Sequence, residues 1–397
     1  MQFDITTIAS KDVQDFIFEN EAIDDAALLA VKHKMRIPFS DLSTQLFGRR
    51  KAKFKLPSYY HQRGIIYPKS INLEQSSSEE TASYKAAVLS RFFHEANLVT
   101  DLTGGFGVDS LFFSQKFARV IYVEPDQVLL EIARHNHQVL GGSNICHHNS
   151  TAEKYLQSET KKSDLFYIDP SRRSQGTKTI RFQDGTPNVV DLLPVMLKEA
   201  QGVLIKSSPL LDLSVAIHEL STVFRVIVVA VDNDCKEVLY LCRQHVTGEP
   251  EIECIDLKAQ IPFVFTVSKE REASVVLSRP LEYIYEPNVA ILKAGAFKSI
   301  AQRFGLKKLD TNTHLYTSNE ILTDFPGRVF RTNAILKNRR EIKVALPDLQ
   351  ANLILRNFPG TTHELKSSLG IQDGGDKYVL ATTSQNLKVF ILADRVK

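Results

Sequence analysis

Between residues 97 and 242, short apolar runs typical of buried β-strands alternate with segments of helical periodicity. Strands are predicted over 98–102, 119–124, 164–168, 203–206, 224–231 and 237–242, and helices over 108–117 and 127–139. This alternation predicts an α/β fold with a parallel, doubly wound sheet. Only residues 232–236 separate the last two strands, which is too few for a crossover helix, so an antiparallel hairpin is expected there.

The first of these strands runs directly into a glycine-rich turn, Asp101-Leu102-Thr103-Gly104-Gly105-Phe106-Gly107. Glycine tolerates positive φ and lets the backbone approach a ligand closely at the start of a helix. Glu124 ends the next strand, where a carboxylate can accept hydrogen bonds from both hydroxyls of a ribose. Together these features predict a nucleotide-containing ligand at the carboxyl edge of the sheet.

The details of the glycine pattern narrow the identity of this ligand. Ser110 stands where a dinucleotide fingerprint has its third glycine, and the lysine of a phosphate-binding P-loop is missing. Asp101 precedes the glycines, where its charge would repel a pyrophosphate but attract the amino group and sulfonium of S-adenosylmethionine. S-adenosylmethionine is therefore the favoured ligand, and a dinucleotide oxidoreductase is the alternative that NAD(P) binding would support.

The segments on either side of this region have other patterns. Residues 1–95 are predicted to be mostly helical, with a helix over 81–93 that begins behind a serine cap. Beyond residue 248 the pattern predicts two small α+β modules. Their strands are expected at 264–267, 274–277, 341–346, 378–382 and 388–392, and their helices at 288–304 and 362–369.

Residues 97–242 resemble a class I S-adenosylmethionine-dependent methyltransferase in the glycine turn, Glu124, the run Asp169-Pro170-Ser171-Arg172-Arg173 and the closing hairpin. The resemblance implies a seven-stranded Rossmann-like core with an antiparallel last strand. The glycine turn would hold the methionine end, Glu124 the ribose, and the segment at 149–150 the adenine, where the family usually has an acid. The implied cofactor-binding residues are Asp101, Thr103, Gly104, Gly105, Gly107, Glu124, Asn149 and Ser150.

The whole chain also resembles a narrower bacterial family that joins this core to a ferredoxin-like module and a C-terminal THUMP-like domain. The shared features are residues 75–86, the Asp-Pro-Ser-Arg-Arg run, the motif Arg356-Asn357-Phe358-Pro359 and Gly374-Gly375. The implied domains are a helical region over 1–95, the methyltransferase over 96–247, the ferredoxin-like domain over 248–318 and the THUMP-like domain over 319–397. THUMP domains bind RNA, so the resemblance implies methylation of RNA (rRNA or tRNA).

Asp169 and Pro170 follow a strand whose carboxyl end faces the glycine turn, and they are the predicted catalytic residues. In amine methyltransferases the equivalent carboxylate or amide accepts hydrogen bonds from an exocyclic amine and aims its lone pair at the methyl group. A base nitrogen of RNA is therefore the favoured acceptor. Where those enzymes carry an aromatic residue that stacks the base, this chain has Ser171, Arg172 and Arg173, predicted to bind substrate because arginine can stack a base or grip a phosphate.

Other interpretations of the Asp-Pro run stay open. The missing aromatic residue favours an RNA-binding protein with a catalytically degenerate core, in which Asp169 would cap a helix and the arginines would face solvent. The run also resembles that of uracil-C5 methyltransferases, which use a cysteine nucleophile after the next strand. Here that position reads Lys206-Ser207-Ser208-Pro209, which disfavours a covalent mechanism.

A net charge of +3 hides a basic segment, because residues 32–69 contain ten basic residues and one acid. Within it, Arg49, Arg50 and Lys51 begin a run that interleaves charges with aromatic residues such as Phe54 and Tyr59. Charges can follow phosphates while aromatic rings stack unpaired bases, so these three residues are predicted RNA contacts. The alternative is an ordinary solvated face.

The remaining composition excludes several classes of protein. No apolar run is long enough to span a membrane, and the first residues lack the pattern of a signal peptide. The four cysteines have no CxxC spacing, which disfavours a zinc site or a disulfide framework and favours a cytoplasmic protein. His147 and His148 are adjacent in a predicted strand and so point to opposite faces, which disfavours a metal pair.

Overall fold

The computed structural model describes residues 4–23, 27–28, 37–158, 163–171, 173–174, 177–178 and 181–397. It divides into two compact units, the first within residues 1–223 and 240–246 and the second within 224–239 and 247–397. In the described ranges, no helix is both long enough and apolar enough to cross a membrane.

The amino-terminal part of the first unit is helical, as the sequence predicts. Its helices are α1 Ile5–Ile8, α2 Lys11–Glu19, α3 Phe39–Lys55, α4 Pro57–His61, α5 Ser70–Gln75 and α6 Glu79–Phe92. Ser78 caps the start of helix α6, because its side chain accepts a hydrogen bond from the Thr81 amide. Apolar side chains of these helices share one buried cluster with Phe106, Val108 and Leu111, so this region packs directly beside the glycine turn.

A parallel sheet forms the centre of the first unit. Its strands and the intervening short ribbon are β1 Leu98–Asp101, β2 Arg119–Val123, β3 Ile145–His148, β4 Leu165–Ile168, β5 Arg173–Ser174, β6 Thr177–Lys178 and β7 Gly202–Ser207. The order across the sheet is β3-β2-β1-β4-β7, with all neighbours parallel. The helices between the strands are α7 Val108–Ser114, α8 Gln127–Val139, α9 Ala152–Gln157, α10 Val189–Glu199 and α11 Leu213–Leu220. The carboxyl ends of β1, β2, β4 and β7 therefore lie along one edge.

The closing hairpin consists of neighbouring strands β8 Val223–Val231 and β9 Asp234–Cys242. Asp232 and Asn233 join them, and both have positive φ (52° and 56°), as in a tight two-residue turn. A connection this short can only join antiparallel strands. Strand β9, whose residues 240–242 belong to the first unit, is the neighbour of β7 in the sheet order, which completes the order of the predicted seven-stranded Rossmann-like core.

The second unit contains most of the carboxyl-terminal strands. They are β10 Glu251–Asp256, β11 Phe263–Phe265, β12 Tyr283–Pro287, β13 Lys307–Asp310, β14 Thr313–Ser318, β15 Gly327–Leu336, β16 Asn352–Arg356, β17 Lys377–Ser384 and β18 Leu387–Arg395. Strand β10 is parallel to β8, and β11 is antiparallel to β10. The other seven form a separate sheet in the order β13-β14-β12-β15-β18-β17-β16. The helices are α12 Val267–Glu272, α13 Val289–Ala294, α14 Ser299–Arg303, α15 Arg339–Ala345 and α16 Thr362–Leu369.

Three local predictions for the carboxyl-terminal modules are wrong. Residues 341–345 belong to helix α15 instead of a strand, and 274–277 contain no strand. The single helix expected over 288–304 is two helices, because the chain turns at Gly295, whose φ is 79°. A residue with positive φ ends a helix, and glycine adopts that conformation without strain.

A buried carboxylate joins three strands of the second sheet. Glu286 on β12 is 1% exposed and forms ion pairs with Arg328 on β15 and Arg356 on β16, the latter at 2.7 Å. The neighbouring Asn357 donates a hydrogen bond to the Thr313 hydroxyl at 3.0 Å. Two residues of the Arg-Asn-Phe-Pro motif therefore hold this sheet together.

Replacing this carboxylate should destabilise the second unit. We expect Glu286→Ala to lower the free energy of unfolding by about 2–3 kcal/mol, because it leaves two arginines without their shared anion. This expected loss is smaller than the about 3–5 kcal/mol typical of breaking a fully buried pair, since both arginines are partly exposed. Urea unfolding checks it, and Glu282→Ala, which removes a more exposed pair with Arg331, should cost about 0.5 kcal/mol or less. Equal losses for the two variants would contradict the role given to Glu286.

Candidate functional site

The glycine turn is tied to the neighbouring strand β2. The Gly104 amide donates to the Val123 carbonyl at 2.9 Å, and the Tyr122 hydroxyl donates to the Gly105 carbonyl at 2.6 Å. Gly105 and Gly107 have φ values of 55° and 83°, which favour glycine. A Cβ at Gly104 would lie 2.2 Å from the Tyr122 ring. The turn therefore requires glycine for both conformation and space.

A pair of histidines, of which His137 is buried, supports the other side of the turn. His137 Nε2 donates to the Gly107 carbonyl at 2.8 Å, and His137 Nδ1 lies 2.9 Å from His147 Nε2. Burial lowers the pKa of His137 to about 3, so the ring is neutral and its Nδ1 accepts from His147. Within the described residues, no group of three histidine, cysteine or acidic side chains is arranged to hold a metal ion.

Asp101 lies beneath the turn and is fully buried. One carboxylate oxygen accepts from the Ser110 hydroxyl at 2.7 Å, and the other accepts from the Thr103 amide at 3.0 Å. Burial raises the pKa of Asp101 to about 7, although the Ser110 hydrogen bond opposes that shift. The carboxylate thus shapes the turn from below and changes charge near neutral pH.

The raised pKa of Asp101 predicts how stability varies with pH. An acid that binds its proton more tightly in the folded state stabilises the fold below its unfolded pKa, and this contribution is lost as pH rises through the folded value. From about pH 5 to about pH 8, the unfolding free energy of the native protein should therefore fall relative to that of Asp101→Asn. Urea unfolding at both pH values measures the difference, and identical pH dependence of the two proteins would refute the assignment.

Glu124 lies at the end of β2 and is 8% exposed. Its Oε2 accepts from the Gly105 amide at 2.9 Å, and its Oε1 accepts from the Asp126 amide at 2.8 Å. Burial raises its pKa above the usual value. Each carboxylate oxygen keeps a second lone pair, so Glu124 can fix the turn and still accept hydrogen bonds from a ligand.

The Asn149–Ser150 segment follows strand β3 at the same edge. The Asn149 amide donates to the backbone carbonyls of Glu124 and Pro125, both at 3.0 Å. The Ser150 hydroxyl donates to the Thr151 carbonyl at 3.1 Å. Asn149 therefore fixes the loop that follows Glu124. Because Glu124 is the predicted ribose ligand, Asn149 lies beside the predicted ribose position.

Asp169 connects the end of β4 to the glycine turn. Its backbone amide donates to the Thr103 hydroxyl at 2.7 Å. Its Oδ2 accepts from the ammonium group of Lys206, and the side chains of Asp169 and Lys206 are 30% and 14% exposed. Ile168 and Ile205 are register partners in β4 and β7, so Asp169 and Lys206, which each follow one of them, stand side by side.

Sequence reasoning missed a second charged group next to this pair. Lys85 on α6 is fully buried, and its ammonium lies 3.1 Å from Asp109 on α7. The hydroxyls of Ser77 and Tyr167 both donate to Asp109, at 2.8 and 2.9 Å. Burial alone would raise the pKa of Asp109, but Lys85 and Lys206 hold it below its usual value. The motif at 75–86 carries two of these residues, and their partners lie too far along the chain to be recognised from it.

The predicted substrate residues around Pro170 are only partly described. Pro170 is buried, and Ser171 is exposed and exchanges backbone hydrogen bonds of 2.8 and 3.1 Å with Thr186. Arg172 lies outside the described residues, and for Arg173 only the backbone in β5 is described. Their roles therefore stay predictions.

The basic run on α3 divides between interior and surface. Arg49 is 6% exposed, pairs with Glu21 at 3.2 Å, donates to the Tyr60 carbonyl at 2.7 Å and lies over the Phe18 ring. This placement removes Arg49 from any surface that RNA could contact, because its charge is used in packing the helical region. The sequence pattern of a charged run does not indicate that one of its basic residues is buried.

The residues that follow Arg49 reach the surface. Arg50 is exposed and donates to the Glu21 and Ile23 carbonyls. Lys51 and Lys53 are exposed, and Phe54 is 86% exposed on the same helix. Helix α3 therefore exposes two lysines and one aromatic ring, those of Lys51, Lys53 and Phe54.

Comparison with known proteins identifies relatives of the whole chain. A protein from Porphyromonas gingivalis W83, assigned as a methyltransferase, is 32% identical, and the match covers 100% of both chains with a TM-score of 0.87. Residues 283–326 match a ferredoxin-like domain and residues 327–395 match a THUMP-like domain. No curated protein sequence matches the chain.

More distant structures resemble only part of it. An S-adenosylmethionine-dependent methyltransferase from Agrobacterium tumefaciens is 18% identical over 46% of this chain and 66% of that chain, with a TM-score of 0.33. A Pyrococcus horikoshii protein assigned as an RNA methyltransferase is 15% identical over 49% of this chain and 99% of that chain, with a TM-score of 0.35. The full-length match, the Rossmann-like core and the two carboxyl-terminal domains give one conclusion. The chain belongs to the family of class I S-adenosylmethionine-dependent methyltransferases that carry a ferredoxin-like module and a C-terminal THUMP-like domain.

Proposed function

We propose that this protein transfers a methyl group from S-adenosylmethionine to RNA. The observation that carries the proposal is the position of Asp169. It extends from the strand next to β1 and is hydrogen-bonded through Thr103 to the glycine turn, so a proton-accepting carboxylate stands beside the predicted cofactor site. In methyl transfer the donor is already activated, and the protein mainly positions the acceptor and takes up its proton.

The residues of the turn fit S-adenosylmethionine, the cofactor of this family, which supplies a methyl group activated on a sulfonium. Two carboxyls stand where β1 and β2 end: Glu124 can accept hydrogen bonds from ribose hydroxyls, and the buried Asp101 holds the turn that faces the ligand. Gly105 leaves open space where a side chain would project: apart from its two chain neighbours, the Thr103 carbonyl oxygen is the one atom of the described residues within 4 Å of a Cβ built there. Gly107 and Asn149 hold the loops on either side. We assign Asp101, Glu124 and this turn to cofactor binding on these grounds.

Two separate features support RNA as the substrate. Lys51, Lys53 and the ring of Phe54 are exposed on α3, where the charges can contact phosphates and the ring can stack an unpaired base. The THUMP-like domain over 327–395 is of a type that binds RNA. The four cysteines are free, which fits the reducing cytoplasm, and an RNA substrate fits that location too.

The alternative is an RNA-binding protein whose methyltransferase core has lost activity, and the absence of an aromatic residue after Pro170 favours it. Measuring cofactor binding and turnover on the same sample distinguishes the two functions. An active enzyme should bind S-adenosylmethionine by calorimetry and release S-adenosylhomocysteine only when RNA is present. Cofactor binding without RNA-dependent turnover would favour the inactive core, and failure to bind the cofactor would refute the proposed enzyme.

Binding of RNA by α3 has its own test. The triple variant Lys51→Ala, Lys53→Ala, Phe54→Ala should raise the Kd for RNA about tenfold or more and flatten its salt dependence, since it removes two charges and one stacking ring. A matched control is Lys198→Ala, which removes an exposed lysine on α10. Affinity for S-adenosylmethionine should not change in either variant. Equal RNA affinity of the triple variant and the control would exclude α3 as the RNA contact.

A further inference from the structure

The sequence pattern assigns no function to Lys206, which it shows only as part of a run without a cysteine. Lys206 lies in β7, and its ammonium contacts Oδ2 of Asp169 at the carboxyl edge of the sheet. Among the residues that the structure describes, no hydrogen-bond partner contacts Oδ1 of Asp169. The edge beside the glycine turn therefore presents a lysine–carboxylate pair with one carboxylate oxygen still able to accept a proton.

This lysine is poorly placed to serve the cofactor. A sulfonium near the glycine turn would be repelled by the ammonium of Lys206, and this repulsion is stronger in a partly buried site than in water. Asp169 reduces that repulsion by pairing with Lys206. The other ligand at this edge of the sheet is the methyl acceptor. The effect of the Lys206 charge is therefore considered on the acceptor.

The charge of Lys206 distinguishes between two classes of acceptor. A nitrogen nucleophile becomes more positive as it takes the methyl group, so a neighbouring ammonium opposes the reaction and competes for the nitrogen lone pair. A hydroxyl nucleophile loses its proton, so negative charge develops on oxygen and an ammonium stabilises it. Asp169 supplies the base that a hydroxyl requires but that an amine does not need before it attacks.

Resting on the proposed methylation of RNA, we infer that the acceptor is a hydroxyl oxygen, with Lys206 stabilising the developing oxygen charge and Asp169 Oδ1 taking the proton. The oxygen forms a bond to the methyl carbon while the carbon–sulfur bond breaks. The electron pair of that bond goes to sulfur, and the hydroxyl proton passes to Asp169 and then to water. The hydroxyl that every RNA nucleotide carries is the ribose 2′-OH, so the product is a 2′-O-methylated nucleotide instead of the methylated base that the sequence favours.

Mass spectrometry of the product tests the inference. RNA from a strain that lacks the protein is incubated with the enzyme and isotopically labelled S-adenosylmethionine, then digested to nucleosides and fragmented into base and ribose. Label on the ribose fragment is expected. Label on the base would overturn the inference and leave the proposed function intact, whereas absence of label in RNA would overturn both.

Variants of the pair test the role of each group separately. Lys206→Met should lower kcat about 10²–10³-fold without weakening the binding of S-adenosylmethionine, and Lys206→Arg should recover part of the loss in kcat. Asp169→Asn should be as inactive as Asp169→Ala, because an amide accepts a hydrogen bond but cannot take the proton. A native kcat in Lys206→Met, or substantial activity in Asp169→Asn, would contradict the inference. Lys198→Met, at an exposed position on α10, is the control for loss of a lysine.

Discussion

Asp169→Ala is expected to abolish methyl transfer while the protein still binds its cofactor. The side chain is the proton acceptor at the reacting edge, and loss of such a group costs about 10²–10⁴-fold in rate. The hydrogen bond from residue 169 to the Thr103 hydroxyl comes from the backbone, so the variant keeps the link between β4 and the glycine turn. Steady-state assays of RNA methylation should therefore show a large fall in kcat, whereas the Kd for S-adenosylmethionine should rise by a much smaller factor, because Lys206 then lacks its partner carboxylate.

The control for this variant is Asp184→Ala. Asp184 is an exposed acid in a short helix over Phe182–Asp184 and is not part of the pair at the reacting edge. Its replacement should leave kcat within about twofold of native, as expected for an exposed side chain outside the site. If Asp169→Ala retained activity similar to that of Asp184→Ala, Asp169 would not be catalytic. If it lost cofactor binding as well, its role would be structural.

Glu124→Ala is expected to weaken cofactor binding about 100-fold or more. The carboxylate is proposed to accept hydrogen bonds from the ribose hydroxyls, and a charged hydrogen bond contributes about 1.5–3 kcal/mol. The variant also frees the amide of Gly105, which the carboxylate now holds at 2.9 Å, so the turn loses a fixed contact. Calorimetry with S-adenosylmethionine measures the loss directly, and 1.4 kcal/mol corresponds to a tenfold change in Kd.

Glu131→Ala provides a matched control for that experiment. Glu131 lies on α8, seven residues further along the chain, and pairs with Arg134 at 2.7 Å on the surface. A surface pair of this kind contributes at most about 1 kcal/mol to stability and nothing to the site. Cofactor affinity should therefore match that of the native protein. Similar Kd values for Glu124→Ala and Glu131→Ala would remove Glu124 from the cofactor site.

The features that the sequence predicted well are those that local chemistry determines. The glycine turn follows from a strand that ends at Asp101 and from glycines at positions whose φ is positive. The closing hairpin follows from a connection too short for a crossover, and the structure makes it with Asp232 and Asn233. In both cases the decisive residues are neighbours in the chain.

The features that the sequence did not reveal depend on partners far apart in the chain. Lys206 meets Asp169 only because β4 and β7 are adjacent, and Lys85 meets Asp109 only because α6 packs beside α7. Nothing in the spacing of these residues indicates a contact. The burial of Arg49 belongs to the same class, since its partner Glu21 comes from a separate part of the helical region.

Helix α15 shows how a short apolar pattern can indicate the wrong structure. Ile342, Val344 and Leu346 alternate as in a strand, but Val344 is 76% exposed while the other two are buried. Residues four apart lie on one face of a helix, so Ile342 and Leu346 alone explain the burial. The Asn338 side chain caps this helix by accepting from the Glu341 amide, a signal that favours a helix from the start.

The most direct test of the proposed function is methyl transfer itself. The purified full chain is incubated with S-adenosylmethionine labelled in its methyl group and with RNA from a strain that lacks the protein, and label retained in the RNA is counted. We expect RNA labelled by the native protein and by Asp184→Ala, and none labelled by Asp169→Ala. A protein that binds S-adenosylmethionine yet labels no RNA, or an Asp169→Ala variant that labels RNA as the native protein does, would contradict the mechanism proposed for this site.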